Sequence, residues 1–301
     1  MYPKNFAIFN FLRLSAISVS VFFMALSCKE EDPNAQINAE VQAINEYLDS
    51  DGPWPTLYDQ SGMRMVVRII GDQPSPHTGQ TVKFDYHLKL LSTGTTVESG
   101  TMNDKLENMP TEGLRYSLTA MMGGSIGTFY IPSKYGYGEA GKTGVPPNST
   151  LVYEILSRIE VTRTSAELTQ FKTDTAAIRQ YIINPSNNIK NAVKLTSGVW
   201  YTLDAPGTGR ITTPYDNVSF GFKGTVMSNA FVFQENAVTD QSVFGLIEGL
   251  KVGLPNIQEG STATFYIPSG LGYGTVGATN IPANANISFR IQLNSVKPYF
   301  E

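Results

Sequence analysis

The chain repeats itself at a constant separation of 136 residues, which is the distance between Tyr137 and Tyr273. At this offset the segment Thr128–Ser133, which reads Thr-Phe-Tyr-Ile-Pro-Ser, matches Thr264–Ser269 at every position. The match runs without a gap over about 90 positions, and an insertion in either copy would have broken it. The sequence therefore predicts one small fold built twice along the chain.

Each copy combines alternating strand patterns with one short helical pattern. In the first copy, apolar residues alternate over Val82–Leu90 and Leu151–Ile155, as half-buried strands require. Between them, apolar residues over Leu114–Met121 recur at helical spacing, and Gly124 is expected to end that helix. The second copy repeats the pattern, with Gly260 in the same place. One short helix against an antiparallel sheet predicts an α+β module.

A further helical pattern precedes each copy, near Ala39–Leu48 and near Ala166–Ile183. Together these features predict the domain organisation of the chain. The expected segments are a leader at 1–28, a linker with a short helix at 29–60, a first module at 61–162, a linker helix at 163–196 and a second module at 197–301.

The beginning of the sequence has the pattern of an export signal. Lys4 and Arg13 precede an apolar run, Leu14–Leu26, which is too short to span a membrane as a helix. Small residues lead directly into Cys28, and this arrangement resembles the lipobox of bacterial lipoproteins. We therefore expect Cys28 to be the lipidation site; the alternative is a buried free cysteine after an ordinary cleavage site.

The residues after Cys28 bear on location. Lys29 beside the cysteine favours the outer rather than the inner membrane of a Gram-negative cell envelope. The run Lys29–Glu31 is interpreted either as a surface-export tag or as a solvated linker. The expected location is a lipid-anchored position on the outer membrane, facing the periplasm or the surface.

Charge and cysteine content exclude several classes of protein. A net charge of −4 and a pI near 5.4 argue against binding to nucleic acid. A single cysteine excludes an internal disulfide framework. The segment Gly136–Thr143 matches the P-loop pattern, but Pro146 and Pro147 follow it where a helix should begin, and Ala278 replaces its lysine in the second copy. We therefore expect no bound nucleotide.

Three motifs, Phe129–Ser133, Gly136–Gly138 and Val145–Leu151, together resemble the FKBP-type peptidyl-prolyl isomerases. The resemblance covers about residues 61–161 and 197–297. It implies a five- or six-stranded antiparallel half-barrel wrapped on a short helix, with a ligand pocket between helix and sheet. It also implies rotation about the peptide bond that precedes a proline, a reaction that needs no nucleophile, metal or cofactor.

Transferred to the first copy, the resemblance implies three catalytic residues. Tyr86 matches the strand tyrosine of the family, Glu98 keeps a carboxylate with one additional methylene, and Tyr137 matches the loop tyrosine whose hydroxyl reaches the peptide carbonyl. The plainer interpretation makes Tyr86 a core aromatic and Glu98 a solvated acid. The substrate-binding positions implied by the resemblance are Val97, Thr111 through its backbone N–H, Leu114 as the pocket floor, Val145 and Tyr153.

The second copy departs further from the family pattern. Phe222 lacks the hydroxyl of the strand tyrosine, and Gln234 replaces the carboxylate. The substrate-binding positions implied there are Phe222, Phe233, Leu250, Tyr273, Ile281 and Phe289. The first copy is therefore the better candidate for catalysis, and the second is expected to hold peptide.

Two functions remain open on the sequence. One is a lipid-anchored prolyl isomerase that helps proline-containing envelope or secreted proteins to fold. The other is a peptide-binding chaperone, or a docking subunit of an outer-membrane assembly, with little or no catalysis.

Overall fold

Two antiparallel sheets of the same strand order form the scaffold of the computed structural model, which describes residues 34–52 and 54–299. The strands of the first sheet are β1 (Thr56–Tyr58), β2 (Arg64–Ile69), β3 (Thr81–Leu90), β4 (Thr96–Lys105), β5 (Ile126–Ile131), β6 (Leu151–Ile155) and β7 (Glu160–Thr162). Those of the second are β8 (Val193–Lys194), β9 (Trp200–Ala205), β10 (Asn217–Val226), β11 (Phe231–Ser242), β12 (Thr262–Ile267) and β13 (Ile287–Lys297).

The first sheet has the order β1-β2-β5-β6-β3-β4, with β7 also paired to β3, and the second has the order β8-β9-β12-β13-β10-β11. The long strand β13 takes the places of β6 and β7, so the second sheet repeats the first strand for strand. Each sheet curls as a half-barrel around one short helix. The predicted α+β fold with two like modules is therefore confirmed.

Four α-helices lie within the described residues, and their bounds are α1 (Ala35–Asp51), α2 (Glu112–Thr119), α3 (Ser165–Ile183) and α4 (Glu248–Gly253). The helices α2 and α4 pack on β5 and β12 inside their half-barrels. The helices α1 and α3 match the two predicted helices that precede the modules. In this part of the chain no helix combines the length and the apolar character needed to cross a membrane.

The strand β3 shows why the sequence folds in this way. Its alternate side chains Val82, Phe84 and Tyr86 are buried in the core, whereas Lys83 and Asp85 between them are exposed. Successive side chains of a strand point to opposite faces, so the apolar face of β3 must turn towards the helix. The predicted alternation is confirmed.

The prediction that Gly124 ends the pocket helix was wrong, as was the same prediction for Gly260. The helix α2 already ends at Thr119, because the N–H of Met121 turns back to the carbonyl of Leu118 in a tighter turn. Gly124 and Gly260 instead have φ values of +86° and +87° in the turns that lead into β5 and β12. Their left-handed backbone conformation is the one that glycine adopts without strain.

The helices α1 and α3 cover the outer face of the sheets, opposite the pocket helices. Ile44 and Leu48 of α1 pack in a buried cluster with Tyr130 and Val152. In the second module, Ile178 and Ile182 of α3 form the equivalent buried cluster with Tyr266 of β12. Each sheet is therefore enclosed between two helices.

A buried carboxylate joins each outer helix to its module. Glu40 of α1 accepts a hydrogen bond of 2.6 Å from the hydroxyl of Ser133 and also binds its backbone N–H. Asp174 of α3 accepts 2.6 Å and 3.0 Å hydrogen bonds from the hydroxyl and N–H of Ser269. These serines end the Phe-Tyr-Ile-Pro-Ser motif, so both copies of the motif are held in the same way.

Both sheets begin earlier than the domain boundaries expected from the sequence. The strand β1 lies in the segment 29–60 and pairs with β2, and β8 lies in 163–196 and pairs with β9. Strands of three and two residues are too short to show an alternating pattern, so the sequence interpretation placed them in linkers.

The two modules also share their cores. Tyr215 of the second module is buried in the core cluster of the first, with its hydroxyl 3.8 Å from the sulfur of Met121. It stacks on Phe244, with ring centroids 5.7 Å apart and 15° between the ring planes. In return, Met122 belongs to the core cluster of the second module.

We expect Glu40→Ala to lower the free energy of unfolding by about 2–3 kcal/mol, because it leaves the N–H and hydroxyl of Ser133 buried without an acceptor. Glu46→Ala is the matched control, since Glu46 lies on the same helix with an exposed side-chain contact to Gln42. Urea denaturation of the whole chain measures both changes. Equal effects of the two variants would show that the buried carboxylate contributes nothing specific.

Candidate functional site

The first module gathers its predicted catalytic side chains at the open side of the half-barrel. Tyr86 on β3 donates its hydroxyl hydrogen bond to Oε1 of Glu98 on β4. The ring of Tyr86 lies 5.8 Å from that of Tyr153 on β6, and the hydroxyl of Tyr153 hydrogen-bonds that of Tyr137. The strand register brings β4 and β6 to the same part of β3, because Leu88 on β3 is paired with Glu98 on one side and with Tyr153 on the other. The structure therefore brings the three predicted catalytic residues into one cluster.

The apolar part of this cluster is supplied by the helix and the neighbouring loop. Leu114 of α2 is fully buried below the tyrosines, and Val145 is buried beside them. Val97 and Tyr137 are partly exposed and pack against the same core. Thr111 is buried, and its side-chain oxygen caps α2 by accepting from the N–H of Leu114 at 3.2 Å.

Sequence reasoning did not assign Lys142 to the site. Its ammonium group forms an ion pair with Oε2 of Glu98 and lies 4.7 Å from the centroid of the Tyr137 ring. Lys142 comes from the segment that matches the P-loop pattern. That segment is a series of turns in which Lys142 and Val145 exchange two backbone hydrogen bonds of 2.9 Å and 2.8 Å.

A signal for Lys142 was present in the repeat. Glu98 and Lys142 in the first copy correspond to Gln234 and Ala278 in the second, so both charges are replaced together. A pair of charges that changes as a unit between two copies of one fold is typical of two groups in contact. The sequence interpretation treated the two positions separately.

The electrostatics of the cluster fix the protonation states. Hydrogen bonds from Lys142 and Tyr86 lower the pKa of Glu98, because they stabilise its charged form. Burial opposes the charge of Lys142, but its contacts with Glu98 and Tyr137 raise its pKa overall. Burial, supported by the Glu98 contact, raises the pKa of Tyr86, and burial raises that of Tyr153. At neutral pH the site therefore holds the carboxylate of Glu98, the ammonium of Lys142 and the protonated phenols of Tyr86 and Tyr153.

This arrangement suits binding and orientation rather than covalent chemistry. The phenols remain hydrogen-bond donors, and the carboxylate is occupied at both oxygens by Tyr86 and Lys142. Within residues 34–52 and 54–299, no group of three or more histidine, cysteine or acidic side chains is placed to hold a metal ion.

The second module carries an open recess of about 130 Å³ at the equivalent place. Four of the six residues predicted there line it: Phe222, Leu250, Tyr273 and Phe289. The residues that sequence reasoning missed are Phe220, Val238, Leu246 and Ile247, and Gln234 completes the lining. The recess is therefore apolar and aromatic, with one amide and no ionised side chain among its lining residues.

The other two predicted residues support the recess from behind. Phe233 packs edge-on against Tyr273 and Phe289, with ring centroids 6.2 Å and 5.5 Å apart. Ile281 is buried in the same cluster. Space for Phe233 exists because Gly224 stands where the first module has Leu88. A Cβ atom on Gly224 would come within 2.4 Å of the Phe233 ring.

We expect Gly224→Ala to displace the Phe233 ring and to destabilise the protein by about 1–3 kcal/mol through overpacking. Gly221→Ala on the same strand is the control, because its added Cβ meets nothing within 4 Å. Urea denaturation of both variants tests this. If the two substitutions have the same effect, the space at Gly224 is not reserved for Phe233.

The comparisons with curated proteins place the chain beside bacterial FkpA proteins. An FKBP-type peptidyl-prolyl cis-trans isomerase FkpA of Escherichia coli K12 is 31% identical over 113 residues, which are 36% of this chain and 42% of that protein. The FkpA of Aeromonas hydrophila is 31% identical over 141 residues, 44% of this chain and 52% of the relative. The chain spans about half the length of the curated relatives it matches.

The chain is also similar to parts of solved structures. The crystal structure of FkpA from Escherichia coli is 27% identical, with a TM-score of 0.37, over 44% of this chain and 65% of that one. A peptidyl-prolyl isomerase of Pseudomonas syringae is 23% identical, with a TM-score of 0.38, over 46% of this chain and 99% of that one.

The family model for FKBP-type peptidyl-prolyl cis-trans isomerases matches twice, at residues 73–156 and 209–294. These two matches fall on the two half-barrels and contain both aromatic clusters. Together they cover more than half of the 301 residues, and the chain belongs to the FKBP-type peptidyl-prolyl cis-trans isomerase family.

Proposed function

We propose that the chain is a peptidyl-prolyl cis-trans isomerase that acts on proline-containing polypeptides, with the first module as its main catalytic site. The observation that carries this is the cluster of Tyr86, Glu98 and Tyr137 above the apolar floor of Leu114. Family membership supports the reaction, and the cluster supports the choice of module.

The reaction asks for a shaped environment rather than a reactive group. Rotation about a peptide bond crosses a barrier of about 18–20 kcal/mol because amide resonance holds the bond planar. The tertiary amide before proline has a smaller preference for trans, so both isomers occur in polypeptides. Any group that favours the twisted amide over the planar one accelerates the exchange.

Groups around the tyrosine cluster of the first module support this proposal. Leu114, Val145 and Tyr153 form apolar walls for the ring and keep water from the amide. The hydroxyl of Tyr137 and the backbone N–H of Thr111 would donate to the carbonyls on either side. Glu98 holds the phenol of Tyr86 in place through its hydrogen bond.

The second module is proposed to hold peptide rather than to isomerise it efficiently. Its recess keeps Tyr273 and Phe289 but has Phe222 and Gln234 where the first module has Tyr86 and Glu98. Aromatic side chains give a large apolar contact area, which suits capture of an exposed apolar segment. The alternative function, a peptide-holding chaperone or docking subunit, rests on this recess.

Matched alanine variants in the whole chain separate the two sites. We expect Tyr137→Ala to lower kcat/KM on a proline tetrapeptide by about tenfold, the size expected for one lost hydrogen bond with its packing. Tyr273→Ala is expected to change kcat/KM less than twofold and to weaken the suppression of aggregation of an unfolded client. A protease-coupled isomerisation assay and light scattering measure the two effects.

Rates that equal the uncatalysed rate with unmodified protein would contradict the isomerase proposal. A larger loss from Tyr273→Ala than from Tyr137→Ala would place catalysis in the second module instead.

We also propose that the protein acts in the cell envelope of a Gram-negative bacterium, attached to the outer membrane through a lipid on Cys28. The support is the export pattern around Leu14–Leu26, which leads directly into Cys28. Cys28 lies outside the described residues.

We expect Cys28→Ala to move the protein from the membrane fraction to the soluble fraction of its host cell. The physical reason is that removal of the thiol removes the attachment point of the lipid chains. Fractionation and incorporation of labelled fatty acid measure the change. Unchanged membrane attachment of the variant would contradict a lipid anchor at this position.

A further inference from the structure

The ion pair of Glu98 and Lys142 lies at the entrance of the first site and joins its two sides. Glu98 belongs to β4, whereas Lys142 belongs to the loop that carries Tyr137. The Lys142 side chain is 30% exposed and the Glu98 side chain 38% exposed, so both are accessible to a ligand.

The cation of this pair keeps a hydrogen-bond donor for a ligand. Both oxygens of Glu98 already accept hydrogen bonds, from Tyr86 and from Lys142. An ammonium group has three N–H donors, and among the described residues Lys142 uses its contacts with Glu98 and Tyr137. One donor therefore remains for a ligand.

Comparison with the second module shows whether the loop needs Lys142 for its structure. There Ala278 takes its place, and the turn still forms, because Ala278 and Ile281 exchange backbone hydrogen bonds of 3.0 Å and 2.9 Å. The bond from Asn284 N–H to the Gly274 carbonyl, 2.8 Å, equals its counterpart from Asn148 to Gly138. The loop folds without the lysine, so the charge is not required for its shape.

The position of Lys142 decides which part of a peptide it meets. If the Tyr137 hydroxyl binds the carbonyl of the reacting amide, the residue before proline lies next to the Tyr137 ring. Lys142 covers that ring at 4.7 Å. The side chain before proline therefore comes within reach of the ammonium group.

We propose that Lys142 is a specificity-determining residue, which makes the first module favour peptides with an acidic side chain directly before proline. This deepens the proposed function and rests on it, since it names the class of peptide that the first site takes. The second module, with Gln234 and Ala278 at the two positions, has no such preference.

The test uses the full chain and two isosteric peptides, succinyl-Ala-Glu-Pro-Phe-p-nitroanilide and the same peptide with Gln in place of Glu. We expect kcat/KM to be about threefold higher for the acidic peptide, the range of an exposed ion pair, and the ratio to fall as salt screens it. Lys142→Met should bring the ratio to one or below, and Lys142→Arg should keep it above one. Lys134→Met, which removes a lysine that interacts with Tyr135, is the control and should keep the ratio of the unmodified protein.

Binding is measured in parallel, so that failure of the inference is distinguished from failure of the proposed function. The amide NMR signals of Gly138 and Gly274 report the two sites separately during titration with each peptide. An acidic preference at Gly138 but not at Gly274, without turnover, would support the inference and contradict isomerase activity. Turnover with a ratio that Lys142→Met leaves unchanged would overturn the inference and leave the isomerase intact. No binding at Gly138 would overturn both.

Discussion

The hydrogen bonds between a buried carboxylate and the serine of the Phe-Tyr-Ile-Pro-Ser motif are the contact on which each site depends. Glu40 holds Ser133, and the carbonyl of Ser133 then accepts the N–H groups of Gly136 and Gly138, both at 2.9 Å. These two glycines flank Tyr137. The outer helix thus sets the position of the loop tyrosine through one residue. Loss of the buried carboxylate is costly, because the donors of Ser133 would then be buried without a hydrogen-bond partner.

Most of the scaffold could be predicted from the sequence, because its signals are local or repeated. The alternation on β3 follows from burial of one face, and the constant offset of 136 follows from two copies of one fold. Contacts between distant segments could not be predicted in this way. Glu40 and Asp174 occupy equivalent places but are 134 residues apart, so the offset that aligns the modules does not align their helices.

Those residues of the candidate site that belong to the family motifs could also be predicted from the sequence. The tyrosines and the carboxylate came from family motifs, and the structure brings Tyr86, Glu98 and Tyr137 together. Lys142 was missed because its segment matches the P-loop pattern and the paired replacement of Glu98 and Lys142 was not considered; the folded turn shows that the lysine reaches across to β4. The end of α2 was misplaced because a buried methionine continues the apolar spacing beyond the last helical turn.

The insertion of Tyr215 into the core of the first module couples the stability of the two modules. Its ring and Met122 are each buried in the core of the other half, so neither half can lose its packing without exposing apolar surface of its neighbour. The halves are therefore expected to melt as one cooperative unit rather than in succession. A substitution that unfolds the second half would therefore lower the population of molecules with an intact first half, although the two candidate sites have no predicted residue in common.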